Sequence, residues 1–351
     1  MKQMYYAVQH NNPNICQKSS SGGAFTAITD EWFNALGKDA VVYGCVMDEQ
    51  MHVRHVRAVN ARQAEAMRGS KYIGSNTSGV YRLVEDDLKS GKYVCFSGTP
   101  CQVAALKAYL HCMSIETDRR LLTLEVICHG VGSTRFFEDY ITSQERKYRS
   151  KVTFCSFRGK MRPGKRQQMV LRFENGKVHE SPSARYDEFL SAYGRNYILR
   201  PSCFRCPYAK QERQADLTLG DAWGDVNSTG QVRTLVIASS GWGKEWLDRC
   251  TDRLVWQQLS ATEADQPQLN APTEKPGDYD EFWSIYQGIQ YDKAQKFLGN
   301  KTAQGVIGNA VATVAYRLNA VEILRKIERR LKKTIVELGG KSSYENSSRK
   351  K

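Results

Sequence analysis

Hydrophobic and polar positions in the first 130 residues alternate between helical and strand-like patterns. Apolar positions from Ala24 to Leu36 recur at helical spacing and stop before Gly37, which is a common helix terminator. The segment 40–46 is continuously apolar and predicts a buried strand. By the same criteria we predict strands over 52–57, 93–97 and 121–127 and helices over 61–67, 80–88 and 103–110. This alternation predicts an α/β fold with a mixed sheet.

The pattern changes after residue 150. Strands are predicted over 151–158 and 168–173, followed by the hairpin signal Asn175-Gly176. A helix over 186–194 and a strand over 235–239 follow. We therefore expect four parts: an α/β cofactor-binding region over 1–264, a polar linker over 265–280, a helical C-terminal extension over 281–340 and a disordered tail over 341–351.

Composition is that of an ordinary globular protein, with 41% hydrophobic and 25% charged residues in 351. No apolar run approaches the length of about 18 residues that a membrane span requires. The N-terminus lacks a signal-peptide pattern, so we expect a cytoplasmic protein. In that reducing compartment the ten cysteines are expected to be thiols or metal ligands.

The net charge of +14 indicates an anionic partner without identifying it. Residues 319–351 hold ten Lys or Arg and four Glu. Within them the segment 319–338 predicts an amphipathic helix whose apolar stripe consists of Leu324, Ile327, Leu331, Ile335 and Leu338. This helix could dock on its own domain, lie peripherally on an anionic membrane or bind a partner helix. Nucleic-acid binding is not expected, because no binding fold or interleaved aromatic pattern is present.

Cysteines provide the first candidate chemistry. Cys203-Phe-Arg-Cys206 could form half of a zinc site, a redox dithiol or half of an iron–sulfur site. Cys101 and Cys128 occupy loop-like positions beside strand ends, where ligand sites of α/β sheets gather. The spacing matches neither a ferredoxin nor a zinc ribbon, so unrelated thiols remain the alternative.

Two glycine-containing turns could bind an anion. Ser19–Gly23 precedes a predicted helix, and Gly69–Tyr72 offers a cation and a hydroxyl. Ordinary helix caps are the alternative in both cases, and neither turn is a Walker A loop or a dinucleotide fingerprint. His129 beside Cys128 suggests a Cys–His nucleophile, although neighbours at a strand end point in different directions.

Taken together, six motifs in order carry a family resemblance. They are Ser-Ser-Gly-Gly, Gly-Ser-Lys-Tyr, Ser-Gly-Thr-Pro-Cys-Gln, Ile-Cys-His-Gly, Ser-Phe-Arg, and Arg-Pro-Ser-Cys-x-x-Cys followed by Gly-Asp-Ala-Trp-Gly. From about Tyr5 to Ser240 the chain resembles the coenzyme F420 hydrogenase/dehydrogenase beta-subunit family. The resemblance implies a flavoprotein with FAD and a 4Fe-4S cluster. It implies the cluster ligands Cys101, Cys128, Cys203 and Cys206. It also implies the FAD contacts Ser20, Ser21, Gly22, Gly23, Ser70, Lys71, Tyr72, Gly98 and Thr99.

The chain departs from the family pattern at one point. Many relatives begin with a cysteine-rich ferredoxin-like segment, whereas here only Cys16 precedes residue 45. Additional clusters would then come from a ferredoxin-like redox partner. Our first hypothesis is an iron–sulfur flavoprotein oxidoreductase, with surface polysaccharide biosynthesis as one context. The alternatives are a non-catalytic accessory protein with a structural zinc and a transferase that uses Cys128 and His129.

Overall fold

A computed structural model describes residues 2–160, 168–224, 232–287, 291–299 and 303–317. The strands are β1 (Met4–His10), β2 (Ala40–Met47), β3 (Val53–Ala58), β4 (Tyr93–Gly98), β5 (Leu121–Val126), β6 (Val152–Gly159), β7 (Gln168–Phe173), β8 (Val178–Glu180), β9 (Leu217–Asp221), β10 (Thr234–Ala238) and β11 (Leu254–Leu259). The helices are α1 (Pro13–Lys18), α2 (Ala24–Leu36), α3 (Ala61–Ala64), α4 (Val80–Lys89), α5 (Pro100–Cys112), α6 (Thr134–Tyr148), α7 (Glu188–Gly194), α8 (Gly241–Asp248), α9 (Tyr279–Tyr286), α10 (Tyr291–Phe297) and α11 (Ala303–Arg317). The predicted mixed α/β class and the helical C-terminal part are confirmed.

The main sheet has eight strands in the order β11-β1-β10-β9-β5-β4-β2-β3. Strands β2, β4, β5 and β9 pair in parallel, and the strands on either side of them pair antiparallel. A second, antiparallel sheet has the order β6-β7-β8. Because the four parallel strands run in one direction, the segments that follow them lie at one edge of the sheet.

Helices cover both faces of the main sheet, which explains why its central strands are continuously apolar. Ala40 and Val42 face a core that contains Trp32 of α2 and Trp246 of α8. Val41 faces the opposite core, formed by α4 and α5. A third apolar core joins the small sheet to α6, α7, α9 and α10. Packing in this third core places the small sheet next to the edge of the main sheet at which β5 and β9 end.

Most of the predicted elements lie close to observed ones, whereas β1, β11, α1, α6 and α8 have no predicted counterpart. The predicted turn over 98–102 is wrong, because α5 begins at Pro100. Cys101 therefore lies in the first turn of a helix rather than in a loop. Proline at a first helical position loses no hydrogen bond, so the Thr99-Pro100 pair starts the helix earlier than its apolar spacing indicates.

The C-terminal predictions fall largely beyond the described part of the chain. Helices α9, α10 and α11 account for the described residues of the predicted helical extension. The amphipathic segment 319–338 and the tail 341–351 lie outside the described residues. Among the residues that are described, no helix is both long and apolar enough to cross a membrane.

Candidate functional site

The four predicted cysteine ligands come together at the edge where the parallel strands end. Cys101 follows β4, and Cys128 follows β5. Cys203 and Cys206 lie in and after a 3-10 turn over Pro201–Arg205. The thiolates of Cys101, Cys203 and Cys206 each act electrostatically on Cys128. Three segments that are distant in sequence thus form one sulfur-lined site, here named the cysteine site.

Burial and mutual repulsion disfavour thiolates in the cysteine site. Burial is the main cause that raises the pKa of Cys128 to about 12, and the three neighbouring thiolates raise it further. Burial likewise raises the pKa of Cys203. These cysteines are therefore neutral thiols when nothing is bound, and a cationic metal group would be needed to stabilise their thiolate forms. The raised pKa also argues against Cys128 as a free catalytic nucleophile.

Backbone dipoles and N–H groups face the sulfurs. The Val131 N–H group donates to Cys203 Sγ at 3.4 Å. Cys101 lies in the first turn of α5, where the helix dipole favours negative charge. Its Sγ is 3.1 Å from Thr99 Oγ1. Such donors stabilise metal-bound thiolates and tune the potentials of iron–sulfur clusters.

The cysteine site does not have the compact geometry of a single-ion centre. Within the described ranges, no group of three or more His, Cys, Asp or Glu side chains is arranged to hold one metal ion. Zinc binds sulfur at about 2.3 Å, so its ligands must lie almost in contact. A four-iron cluster is larger and holds its cysteines farther apart. Four thiol donors are the ligand type that iron–sulfur clusters use.

The turn with the predicted Ser-Ser-Gly-Gly contacts is built into the sheet. Ser21 Oγ donates to the carbonyl of Arg233 at 2.9 Å. The Gly22 N–H group donates to Thr234 Oγ1 at 2.8 Å. A Cβ on Gly22 would lie 2.4 Å from Val8 O, so only glycine fits there. The Gly22 N–H is consequently engaged within the fold, and the contact of Gly22 with FAD stays a prediction.

The N-terminus of α2 is the part of this turn that suits an anion. Gly23 caps the helix with φ +92° and provides no side-chain hydrogen bond. The first N–H groups of a helix without such a cap, together with its dipole, attract anions. Ser20 Oγ accepts the Ser70 N–H at 2.8 Å. The two predicted anion-binding turns are therefore in direct contact.

Lys71 is a partly buried cation in the second turn. Its Nζ donates to the carbonyls of Met67 and Arg68 at 2.9 and 3.1 Å. Burial lowers its pKa, and none of the described residues gives it a carboxylate partner. Removing an ammonium from water without a counter-charge nearby costs free energy. A bound anion would offset that cost.

Two further cations around these turns were not predicted as site residues. Lys160 Nζ lies 2.8 Å from the carbonyl of Cys16 and 3.4 Å from that of Ser21. Arg158 binds Asp221 Oδ2 at 2.6 Å. Both cations come from the end of β6, and thus from the small sheet. The Ser-Phe-Arg motif was the only sequence signal for this contribution, which depends on how the two sheets pack.

Tyr72 lies between the two halves of the site. Its ring stacks on Tyr193, with centroids 4.6 Å apart, and Tyr193 donates to the carbonyl of Gly130 at 2.9 Å. Cys128, Cys203 and Tyr72 all act electrostatically on Tyr193. The aromatic pair therefore connects the Lys71 turn with the cysteine site.

Gly98 and Thr99 are held by a directed chain of hydrogen bonds. The Thr99 N–H donates to Gln102 Oε1, and Gln102 Nε2 donates to Ser75 Oγ, both at 2.9 Å. Ser75 Oγ lies 2.9 Å from His55 Nδ1, and His55 Nε2 lies 2.9 Å from the Ser97 carbonyl. Because a carbonyl only accepts, Nε2 carries the proton of the neutral imidazole. This chain fixes the loop between β4 and Cys101.

His129 does not serve the cysteine beside it. Its Nε2 is 2.8 Å from Asn196 Oδ1, and its Nδ1 is 3.4 Å from Gln268 Nε2. Both ring nitrogens are therefore engaged with amides. The geometry does not support the Cys–His transferase hypothesis.

Comparison with known proteins confirms the family resemblance. Residues 91–263 match the family that comprises the C terminus of the coenzyme F420 hydrogenase/dehydrogenase beta subunit. This region includes all four cysteines together with Gly98 and Thr99. The match supports an oxidoreductase-related role for the chain. No protein of curated function matches the sequence.

The fold is similar to that of a solved chain from the F420-reducing NiFe hydrogenase complex of Methanosarcina barkeri, from a xenon-derivatization study. The TM-score is 0.50 and the sequence identity is 18%, over 87% of this chain and 94% of that chain. At this identity the comparison supports the fold.

Proposed function

The family match over residues 91–263 is the premise from which we propose that this chain is an iron–sulfur flavoprotein oxidoreductase. Cys101, Cys128, Cys203 and Cys206 would hold a 4Fe-4S cluster. The Ser19–Gly23 and Gly69–Tyr72 turns would hold FAD. When bound, the flavin supplies two-electron chemistry and the cluster one-electron chemistry.

The single observation that carries this proposal is the convergence of the four cysteines. Their ligating atoms come from the first turn of α5, the segment after β5 and the Pro201–Arg205 turn. Their thiolates are electrostatically coupled. Unrelated thiols have no reason to meet in this way, and soft thiolates are the ligands that iron–sulfur clusters use.

The flavin part of the proposal is supported by local charge. Lys71 has no carboxylate partner in the described chain, Lys160 reaches the Ser21 carbonyl, and α2 begins without a side-chain cap. A pyrophosphate would satisfy these groups together. The protein would thereby bind and orient the cofactor, while the stacked Tyr72–Tyr193 pair separates the two halves of the site.

The exposed side of the cysteine site is consistent with docking of a ferredoxin-like redox partner. Cys101 is exposed, whereas the other three cysteines are partly buried. A cluster bound there would present the Cys101 side to a docking protein. Surface polysaccharide biosynthesis remains a proposal about context that no feature of the site supports.

The test begins with anaerobic purification of the full chain, a visible spectrum and analysis of iron, sulfide and zinc. Flavin bands and about four irons per chain are expected.

Cys101→Ser should abolish stoichiometric cluster loading, because serine replaces a soft ligand. Cys112→Ser is the matched control, because Cys112 is also exposed and on the same helix. Unchanged loading in Cys101→Ser would refute the ligand assignment, and a colourless zinc protein would favour the accessory hypothesis.

A further inference from the structure

A buried ion pair joins the segment after Cys206 to the strand that precedes Cys128. The Arg213 and Glu125 side chains are 2% and 0% exposed, with Nη2 and Oε1 2.6 Å apart. Arg213 Nε donates to the same oxygen at 2.6 Å. Thr218 Oγ1 donates to it as well, at 2.9 Å. The carboxylate is thus fixed in β5, and the guanidinium is fixed against it.

The same guanidinium binds the loop that carries Cys206. Nη1 of Arg213 donates to the carbonyl of Lys210 at 2.8 Å and lies 3.3 Å from that of Tyr208. These carbonyls belong to a segment without strand partners. The Arg213 guanidinium therefore binds two carbonyls of the loop and one carboxylate of the sheet.

Sequence proximity places this contact next to two of the four cysteines. Glu125 is three residues before Cys128, and Tyr208 is two residues after Cys206. We propose that Arg213 is a positioning residue for the cysteine site, which sets the separation of Cys206 and Cys128 through Glu125. This inference rests on the cluster proposed above.

A positional role explains why the chemistry of arginine matters here. A buried ion pair contributes little net stability, because the cost of removing two charges from water offsets their attraction. A guanidinium has five donors in a fixed plane and can bind a carboxylate and two carbonyls at once. Lysine at this position would keep the charge but lose that geometry.

The test compares Arg213→Lys with Arg57→Lys in the full chain. Arg57 is the matched control because its guanidinium forms a two-point ion pair with Asp87, with both distances 2.7 Å. That pair joins β3 to α4 and includes no segment that carries a proposed ligand. The measurements are iron and sulfide per chain, the anaerobic rate of iron loss to a chelator, and the thermal midpoint of each variant.

Arg213→Lys is expected to lose iron about tenfold faster than the unaltered chain, the scale seen when groups that orient metal ligands are removed. Arg57→Lys should lose iron at the normal rate, even if its thermal midpoint falls as much as that of Arg213→Lys. Equal rates of iron loss in Arg213→Lys and the unaltered chain would overturn the inference.

A second variant keeps the proposal testable if Arg213→Lys does not fold. Glu125→Gln retains the shape and one acceptor of the carboxylate while it removes the charge, and it should also accelerate iron loss. A normal rate in a folded Glu125→Gln protein would contradict the role of the pair. If the unaltered chain binds no iron, the proposed function itself fails, and this is seen before any variant is compared.

Discussion

At the scale of single residues, Lys71 shows most clearly how sequence and structure complement each other. The Gly-Ser-Lys-Tyr motif identifies it as a candidate contact, but the same residues also occur at ordinary helix ends. The structure partly buries Lys71 and places its ammonium against two carbonyls. Burial of a charge without a counter-charge distinguishes an anion-binding cation from a solvated one.

We expect Lys71→Met to weaken FAD binding by about tenfold or more, because a charge-assisted contact with the pyrophosphate is lost. Fluorescence titration of the flavin-free protein measures this affinity. Lys92→Met is the control. Lys92 also donates to a backbone carbonyl, that of Lys38, but it precedes β4 and lies at the opposite end of this strand from Cys101. Unaltered FAD affinity in Lys71→Met would remove this residue from the proposed site.

The same residue has a predicted effect on pH-dependent stability. Burial lowers the pKa of Lys71 below 10.5, so the unfolded chain binds this proton more tightly than the flavin-free folded protein. The free energy of unfolding should therefore increase with pH between the lowered pKa and about 10.4. Lys71→Met should lack this contribution, which denaturant titrations across that pH range would measure.

At the scale of elements, a short strap over 130–132 connects both halves of the site. Gly132 forms isolated bridges with Ile73 on one side and Leu199 on the other. Its N–H donates to the carbonyl of Tyr72 at 2.9 Å, and the adjacent Val131 N–H donates to Cys203 Sγ. The strap thus aligns the Lys71 turn and the cysteine turn without belonging to either sheet.

Gly132→Ala should displace this strap, because a Cβ would lie 2.7 Å from the Tyr72 carbonyl oxygen. We expect a loss of about 1–3 kcal/mol in the free energy of unfolding, with reduced content of both iron and flavin. Gly194→Ala provides the comparison, since nothing lies within 4 Å of a Cβ there. Normal iron and flavin content in Gly132→Ala would show that the strap does not align the two halves.

At the scale of the whole molecule, the candidate site depends on contacts between distant parts of the chain. The Arg158–Asp221 ion pair, at 2.6 Å, joins β6 of the small sheet to β9 of the main sheet. Tyr279 donates to the carbonyl of Leu199 at 2.8 Å, so α9 supports the segment that leads into Cys203. Cluster binding should therefore stabilise the native arrangement of several elements together.

Anaerobic removal of iron should lower the thermal midpoint by several degrees, because a ligand that binds only the folded state stabilises it by mass action. Amide hydrogen exchange should accelerate in 128–132 and 200–213. Exchange in the β1–β11 pair should stay unchanged, since no proposed ligand lies on those strands. Uniform acceleration over the whole chain would instead indicate global destabilisation.

Whether an element could be predicted from the sequence depends on whether local or long-range interactions form it. Apolar spacing predicted α2 with its observed ends and most central strands, because helices and buried strands impose local periods. Strands β1 and β11 were not predicted, since their place in the sheet depends on partners far along the chain. The start of α5 was misjudged because capping by Thr99 outweighed apolar spacing.

The sequence by itself determined the fold class, the cysteine and turn motifs and the family resemblance, because these depend on local patterns and on the order of motifs. Only the tertiary structure decided that the four thiols lie in one region and that the Gly22 N–H is engaged. It also decided that Lys71 is partly buried, with no carboxylate partner among the described residues. It alone placed Lys160 beside the Ser21 carbonyl and paired Arg158 with Asp221 and Arg213 with Glu125. Their roles arise from packing between segments that are far apart in sequence, and no local pattern records which distant segments will meet.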